Sequence, residues 1–130
     1  MVKQETYRPL PPDEIIRRIE KALKVGGGTH NWEDIRHGLL TGEFQMFWNE
    51  AGVLITQIRD HGEFRTLHCC VGAGRLEAVL ALQSEMFRFG VSKNCKAVTM
   101  GGRRGWKRVL PKHGWKEADR SFHFDLQEAV

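Results

Sequence analysis

The stretch from Phe64 to Met100 restricts the fold of this chain more than any other. Phe64 to Val71 alternates as a strand does, with Leu67, Cys69 and Val71 directed one way and Thr66, His68 and Cys70 the other. Gly72-Ala73-Gly74 then breaks the strand, and Leu76, Val79, Leu80, Gln83, Met86 and Phe87 recur at helical spacing over about four turns, stopped at Gly90. Cys95 to Met100 reads as a second, short strand. Two strands joined by a helix of this length are parallel neighbours linked by a right-handed crossover. Any fold for this chain must hold that pair.

What precedes it is an antiparallel meander. Phe44, Met46 and Trp48 alternate with Glu43, Gln45 and Phe47, the turn Asn49-Glu50-Ala51-Gly52 leads into Val53 to Ile58, and Asp60-His61-Gly62 turns again. The opening third is a helix pair. Pro9-Leu10-Pro11-Pro12 presets a first helical turn, Asp13-Glu14 suit the positive end of the helix dipole, and Ile15, Ile16, Ile19 and Leu23 form one apolar face before Gly26-Gly27-Gly28. Asn31 with Asp34 forms a capping arrangement for a second helix through Trp32, Ile35 and Leu39, ending near Gly42. After Met100, Gly101-Gly102 is a turn, Arg103 to Leu110 a short helix ended by Pro111, and Ser121 to Leu126 a last strand. The order is helix, helix, three strands, helix, strand, helix, strand, which is α+β with a mixed sheet. Its 130 residues suit one domain spanning 1–130, without repeats or low-complexity segments.

Composition narrows the function classes. Hydrophobic residues at 41% and charged residues at 28% exclude a disordered tail or a disulfide-dense peptide. No apolar run approaches the roughly 18 residues of a membrane span, and Met1-Val2-Lys3-Gln4-Glu5 lacks a signal-peptide core, so the chain is expected to stay where it is made. Cys69, Cys70 and Cys95 are odd in number and two are adjacent, which favours reduced thiols. With no Cys-x-x-Cys pair, and His30, His37, His61, His68, His113 and His123 scattered without an i, i+4 pair, no metal is expected. A cysteine nucleophile paired with histidine has little support, because Cys69 lies on the apolar side of its strand. Gly26-Gly27-Gly28-Thr29 lacks the Gly-Lys-Ser/Thr ending of a phosphate loop.

The net charge of +4 is unevenly placed. Residues 101–120 carry seven Lys or Arg against Glu117 and Asp119, a local +5 that leaves −1 for the rest. Such a stretch is either a solvated face or a surface for nucleic acid, phosphate or an acidic protein. Arg103, Arg104, Trp106, Lys107, Arg108, Lys112 and Trp115 form the candidate interaction face. Its two tryptophans either stack on bases or anchor a partner, or, the favoured alternative, pack beneath the short helix and the last strand.

The element order resembles the GNAT acyltransferase fold over nearly the whole chain. Arg104-Gly105-Trp106-Lys107-Arg108-Val109-Leu110 followed by His113-Gly114-Trp115 is similar to that family's closing helix and its Gly-Phe turn. Gly28-Thr29-His30, Gly42-Glu43-Phe44-Gln45-Met46-Phe47-Trp48 and Gly105-Trp106-Lys107-Arg108-Val109-Leu110 resemble, more narrowly, small GNAT-like proteins of tailed bacteriophages and prophages. That resemblance implies a non-catalytic virion-associated or assembly component. It would work in the bacterial cytoplasm during infection and in the virion, with phage proteins, DNA or an acidic protein surface as partners and no cofactor.

The alternative the family implies is an acyl-CoA-dependent N-acyltransferase. In it, Gly72, Gly74, Arg75 and Arg104 would hold the cofactor phosphates, and Glu43, Glu63 or His68 would serve as base. A nucleic-acid-binding module using residues 101–120 is a further alternative. Two departures count against catalysis. The Arg/Gln-x-x-Gly-x-Gly/Ala phosphate loop of the family is shortened to Val71-Gly72-Ala73-Gly74-Arg75-Leu76, which favours a tight strand-to-helix turn. The position of the usual proton-donating tyrosine, four residues before the Gly-Phe turn, is Leu110, and the chain's one tyrosine is Tyr7.

Overall fold

The computed structural model describes residues 11–25, 30–101, 108–118 and 121–126. Two helices lead, α1 (Asp13–Val25) and α2 (Trp32–Thr41), followed by strands β1 (Phe44–Trp48), β2 (Gly52–Asp60) and β3 (Arg65–Gly74). Helices α3 (Leu76–Ala81) and α4 (Gln83–Ser92) cross to β4 (Cys95–Gly101), and a 3₁₀ turn (Leu110–His113) precedes β5 (Lys116–Ala118) and β6 (Ser121–Asp125). The strands form one six-stranded sheet in the order β1-β2-β3-β4-β6-β5, antiparallel throughout except for the β3–β4 pair. This is the α+β mixed sheet that the strand, helix, strand spacing requires.

Each face has its own core. Ile15, Ile19 and Ile35 of α1 and α2 close over Phe44, Val53, Ile55 and Val71. On the opposite face Val79, Met86 and Phe89 of α3 and α4 pack with Leu67, Cys69, Val98, Met100 and Phe122. The second helix starts as its sequence demands: the Asp34 N–H donates to Asn31 Oδ1 at 2.9 Å, and the Asn31 N–H donates to Asp34 Oδ2 at 3.0 Å. It ends at Gly42, whose φ of +86° suits a residue without a Cβ.

Four expectations need correction. Gly72-Ala73-Gly74 does not break β3; it extends the strand, because Gly52, Val53 and Leu54 of β2 pair with these residues. Val71 does not share a face with Leu67 and Cys69. Val71 pairs with Ile55 and Cys69 with Thr56, so Cys70 is an extra residue, a bulge that moves Val71 to the α1 side. The four-turn helix is two helices, since at Leu82 the backbone tightens and its N–H bonds to the Val79 carbonyl three residues back. Gly90 does not stop the second of them: it is buried within α4, and a Cβ there would come within 2.8 Å of Leu126 Cδ1.

The chain's last third also differs. Pro111 lies inside the 3₁₀ turn, and β5, which the sequence did not announce, forms a hairpin with β6. Most of the helix expected over Arg103 to Leu110 lies outside the described residues.

Candidate functional site

The parallel pairing of β3 with β4 runs from Arg65 and Cys95 to Cys69 and Met100, and there it ends. β3 continues to Gly74 against β2. The bulge at Cys70 falls at this parting. Bulges bend a strand and raise its local twist, so its position accounts for β3 leaving β4 here. Just before the parting, on the face that α1 and α2 share, His68 lies opposite Thr99, and His68 Nδ1 and Thr99 Oγ1 are hydrogen-bonded at 2.8 Å.

Register places a row of polar side chains on either side of this pair. Gln57 pairs with His68, Thr99 with His123, and His123 with Lys116, so one line crosses β2, β3, β4, β6 and β5. Glu43 joins it at the β1 end, where Glu43 Oε2 accepts from Gln57 Nε2 at 3.2 Å. Burial, reinforced by the Arg59 charge, lowers the His68 pKa to about 4, so the imidazole is neutral at neutral pH and a weaker base than an ordinary histidine. Of the three base candidates, the structure therefore brings His68 and Glu43 to one row. Glu63 lies apart, exposed in the turn that precedes β3.

The thiols are held protonated. Burial pushes Cys69 up to about 12, with Cys70 reinforcing the shift. Burial also raises Cys70, against the opposing pull of Arg59, and raises Cys95. None is a thiolate nucleophile at neutral pH. Among the described residues no group of three or more His, Cys, Asp or Glu is arranged to hold a metal ion.

Of the residues expected to hold phosphates, Gly72, Gly74 and Arg75 make backbone contacts at the strand-to-helix junction, and Arg104 lies outside the described residues. Arg75 alone separates β3 from α3. Gly74 has φ +117°, and a Cβ on it would collide with the Ala51 carbonyl oxygen. The Arg75 N–H donates to that same carbonyl at 2.9 Å, and Asn49 Nδ2 donates to the Ala78 carbonyl at 2.9 Å. At Gly52 a Cβ would come within 3.0 Å of Val79 N. The β1–β2 turn is thus clamped onto the start of α3 by backbone approaches that only glycine permits. Glu77 sets a carboxylate in the first turn of that helix, where an anion would otherwise be favoured.

At the basic end, Arg108, Lys112 and Lys116 are exposed, and Arg103, Arg104, Trp106 and Lys107 lie outside the described residues. Trp115 is not available to a partner. It is 2% exposed, with its ring centroid 5.6 Å from that of Phe124 and 6.0 Å from that of Phe87. Its place in the core corrects its assignment to the interaction face. Leu110, at the position where the GNAT family's tyrosine is expected, is also fully buried. Thr99, Gln57 and Arg59 escaped the sequence reading because their relation to His68 is a matter of register between strands. Among the described residues, no helix is long and apolar enough to cross a membrane.

No protein-family profile and no curated protein matches the chain. Solved structures do. The fold is similar to that of aminoglycoside 6'-acetyltransferase type Ii, with a TM-score of 0.69, 9% identity and 93% of each chain covered. It is similar to an N-acyl amino acid synthase from uncultured soil microbes, with a TM-score of 0.66, 10% identity, and 92% of this chain and 89% of the other covered. A GNAT-family acetyltransferase from Staphylococcus aureus Mu50 superposes with a TM-score of 0.64 at 14% identity, over 88% of this chain and 92% of the other. At these identities the likeness is one of fold, and the chain has the GNAT acetyltransferase fold.

Proposed function

We propose that this chain is a phage- or prophage-encoded protein that uses the GNAT fold as an interaction scaffold, acting as a virion-associated or assembly component rather than as an acyltransferase. The observation that carries this reading is the β3–α3 junction. An acyl-CoA pyrophosphate needs loop amides turned outward at a helix N-terminus. Here the Ala51 carbonyl fills the space beside Gly74, a single residue spans the gap, and Glu77 adds a negative charge. These contacts support a junction that holds no pyrophosphate. The phage origin rests on the resemblance of the Gly28 to His30, Gly42 to Trp48 and Gly105 to Leu110 segments. Exposed Arg108 and Lys112 supply the cationic surface for a partner, whereas a base-stacking role is closed to the buried Trp115.

The test is compositional. Purified particles of the phage that encodes the chain, digested and examined by mass spectrometry, should contain it at a fixed ratio to the capsid protein. Its absence from particles, together with its absence from assembly intermediates, contradicts the reading.

One observation favours a second reading, acyl-CoA-dependent N-acyl transfer with the cofactor gripped in another way. The His68 ring is fixed by Thr99 where β3 and β4 part, a position from which it could hydrogen-bond an amine, and the fold neighbours named above are acetyltransferases and a synthase. Under that reading, acetyl transfer to a panel of amines is measurable and falls by about a hundredfold or more in His68→Gln.

A further inference from the structure

Away from the parting of the strands, at the end where β3 and β4 begin, the turn before β3 and the link after α4 bring together a set of cations and an exposed ring. The rings of His61 and Phe64 stack with centroids 4.7 Å apart and planes 22° from parallel. His61 is fixed twice: its ring Nε2 is hydrogen-bonded to Thr66 Oγ1 at 2.9 Å, and its N–H donates to the Phe64 carbonyl at 2.9 Å. Phe64 nevertheless remains 42% exposed. Lys96 Nζ lies 5.0 Å from the Phe64 ring centroid. Arg65 donates from Nη1 to the Lys93 carbonyl at 3.4 Å and meets Asp60 at 3.6 Å, while Lys93 Nζ lies 5.8 Å from the Phe89 ring.

Among the described residues, Lys93 and Lys96 have aromatic rings and no carboxylate as partners. Cations over rings are positioned without being neutralised. Their anchoring reduces the ordering entropy that a partner must overcome. We propose that the corner formed by His61, Phe64, Arg65, Lys93 and Lys96 is a docking surface for an acidic protein segment, whose carboxylates meet Lys93 and Lys96 and whose apolar atoms cover Phe64. Protein is favoured over nucleic acid because the Phe64 ring is already engaged by His61 and Lys96, so a stacking base would have to displace one of them. The surface is separate from the β3–α3 junction and from Arg108 and Lys112, and it stands whether or not the chain transfers acyl groups.

The experiment is fluorescence anisotropy with labelled poly-L-glutamate on the full chain, in parallel with a labelled single-stranded oligonucleotide. Lys93→Glu/Lys96→Glu should weaken polyglutamate binding by about tenfold or more, while Lys21→Glu/Lys24→Glu, an exposed pair on α1, holds it within about twofold. Thermal melting checks that each variant is folded, and should the reversed pair unfold, Lys93→Gln/Lys96→Gln is read in its place. Equal losses in both double variants would mean general charge attraction and overturn the proposal. So would failure of the unaltered protein to bind polyglutamate, unchanged affinity in the Lys93/Lys96 variant, or an oligonucleotide that binds more tightly and is lost with the same two lysines.

Discussion

Gly74 holds a φ of +117° and faces the Ala51 carbonyl so closely that a Cβ would collide with it. Gly74→Ala should therefore destabilise the protein by about 2 kcal/mol or more, since strain and collision act together. Urea unfolding would show a lower midpoint at an unchanged slope. His68 sets a pH dependence. Its folded pKa, about 4, lies below its ordinary 6.5, so between those values the unfolded chain takes up a proton that the folded one refuses. The stabilisation is complete above pH 6.5 and is lost as pH falls toward 4. The His68 share of the slope reaches at most about 1.4 kcal/mol per pH unit. His68→Gln should flatten stability against pH in that window relative to the unaltered protein. A third residue-scale outcome concerns the thiols: Cys70 is exposed while Cys69 and Cys95 are buried, so a thiol reagent should label one cysteine in the native state and three after unfolding.

At the scale of elements, α2 depends on an absence of side chain. A Cβ on Gly38 would enter the Phe44 ring, which lets the helix lie close on β1. Alanine ordinarily gains about 1 kcal/mol over glycine within a helix. Gly38→Ala should instead give a net loss of stability, measured by the same urea series, and a gain would contradict the packing described. What the sequence disclosed about elements follows from the range of the signals. The Asn31–Asp34 capping box is made by residues three apart, and α1 declares its buried face through Ile15 and Ile19, so both were legible. The bulge at Cys70, by contrast, exists only as a mismatch between β2 and β3. Gly90 reads locally as a helix stop, yet it is a contact with Leu126, thirty-six positions away in the chain. β5 is three residues long and leaves no periodicity to read.

For the whole molecule, the strand, helix, strand spacing carried the topology, because a parallel pair with a crossover helix admits few alternatives. The polar row from Glu43 through Gln57, His68, Thr99, His123 and Lys116 was legible only in fragments. His68 and Glu43 stood out as titratable residues near the meander, while Thr99 and Gln57 gained meaning from register alone. Glycines Gly72 and Gly74 were visible as a shortened loop, but that β2 binds them as strand required the fold. The scaffold function depends on that junction being closed to a nucleotide pyrophosphate. Calorimetric titration of acetyl-CoA into the purified protein, beside a Gly72→Glu variant, tests it most directly. No saturable heat is expected up to millimolar cofactor in either protein; micromolar binding that Gly72→Glu abolishes would contradict the scaffold function and restore the acyltransferase reading.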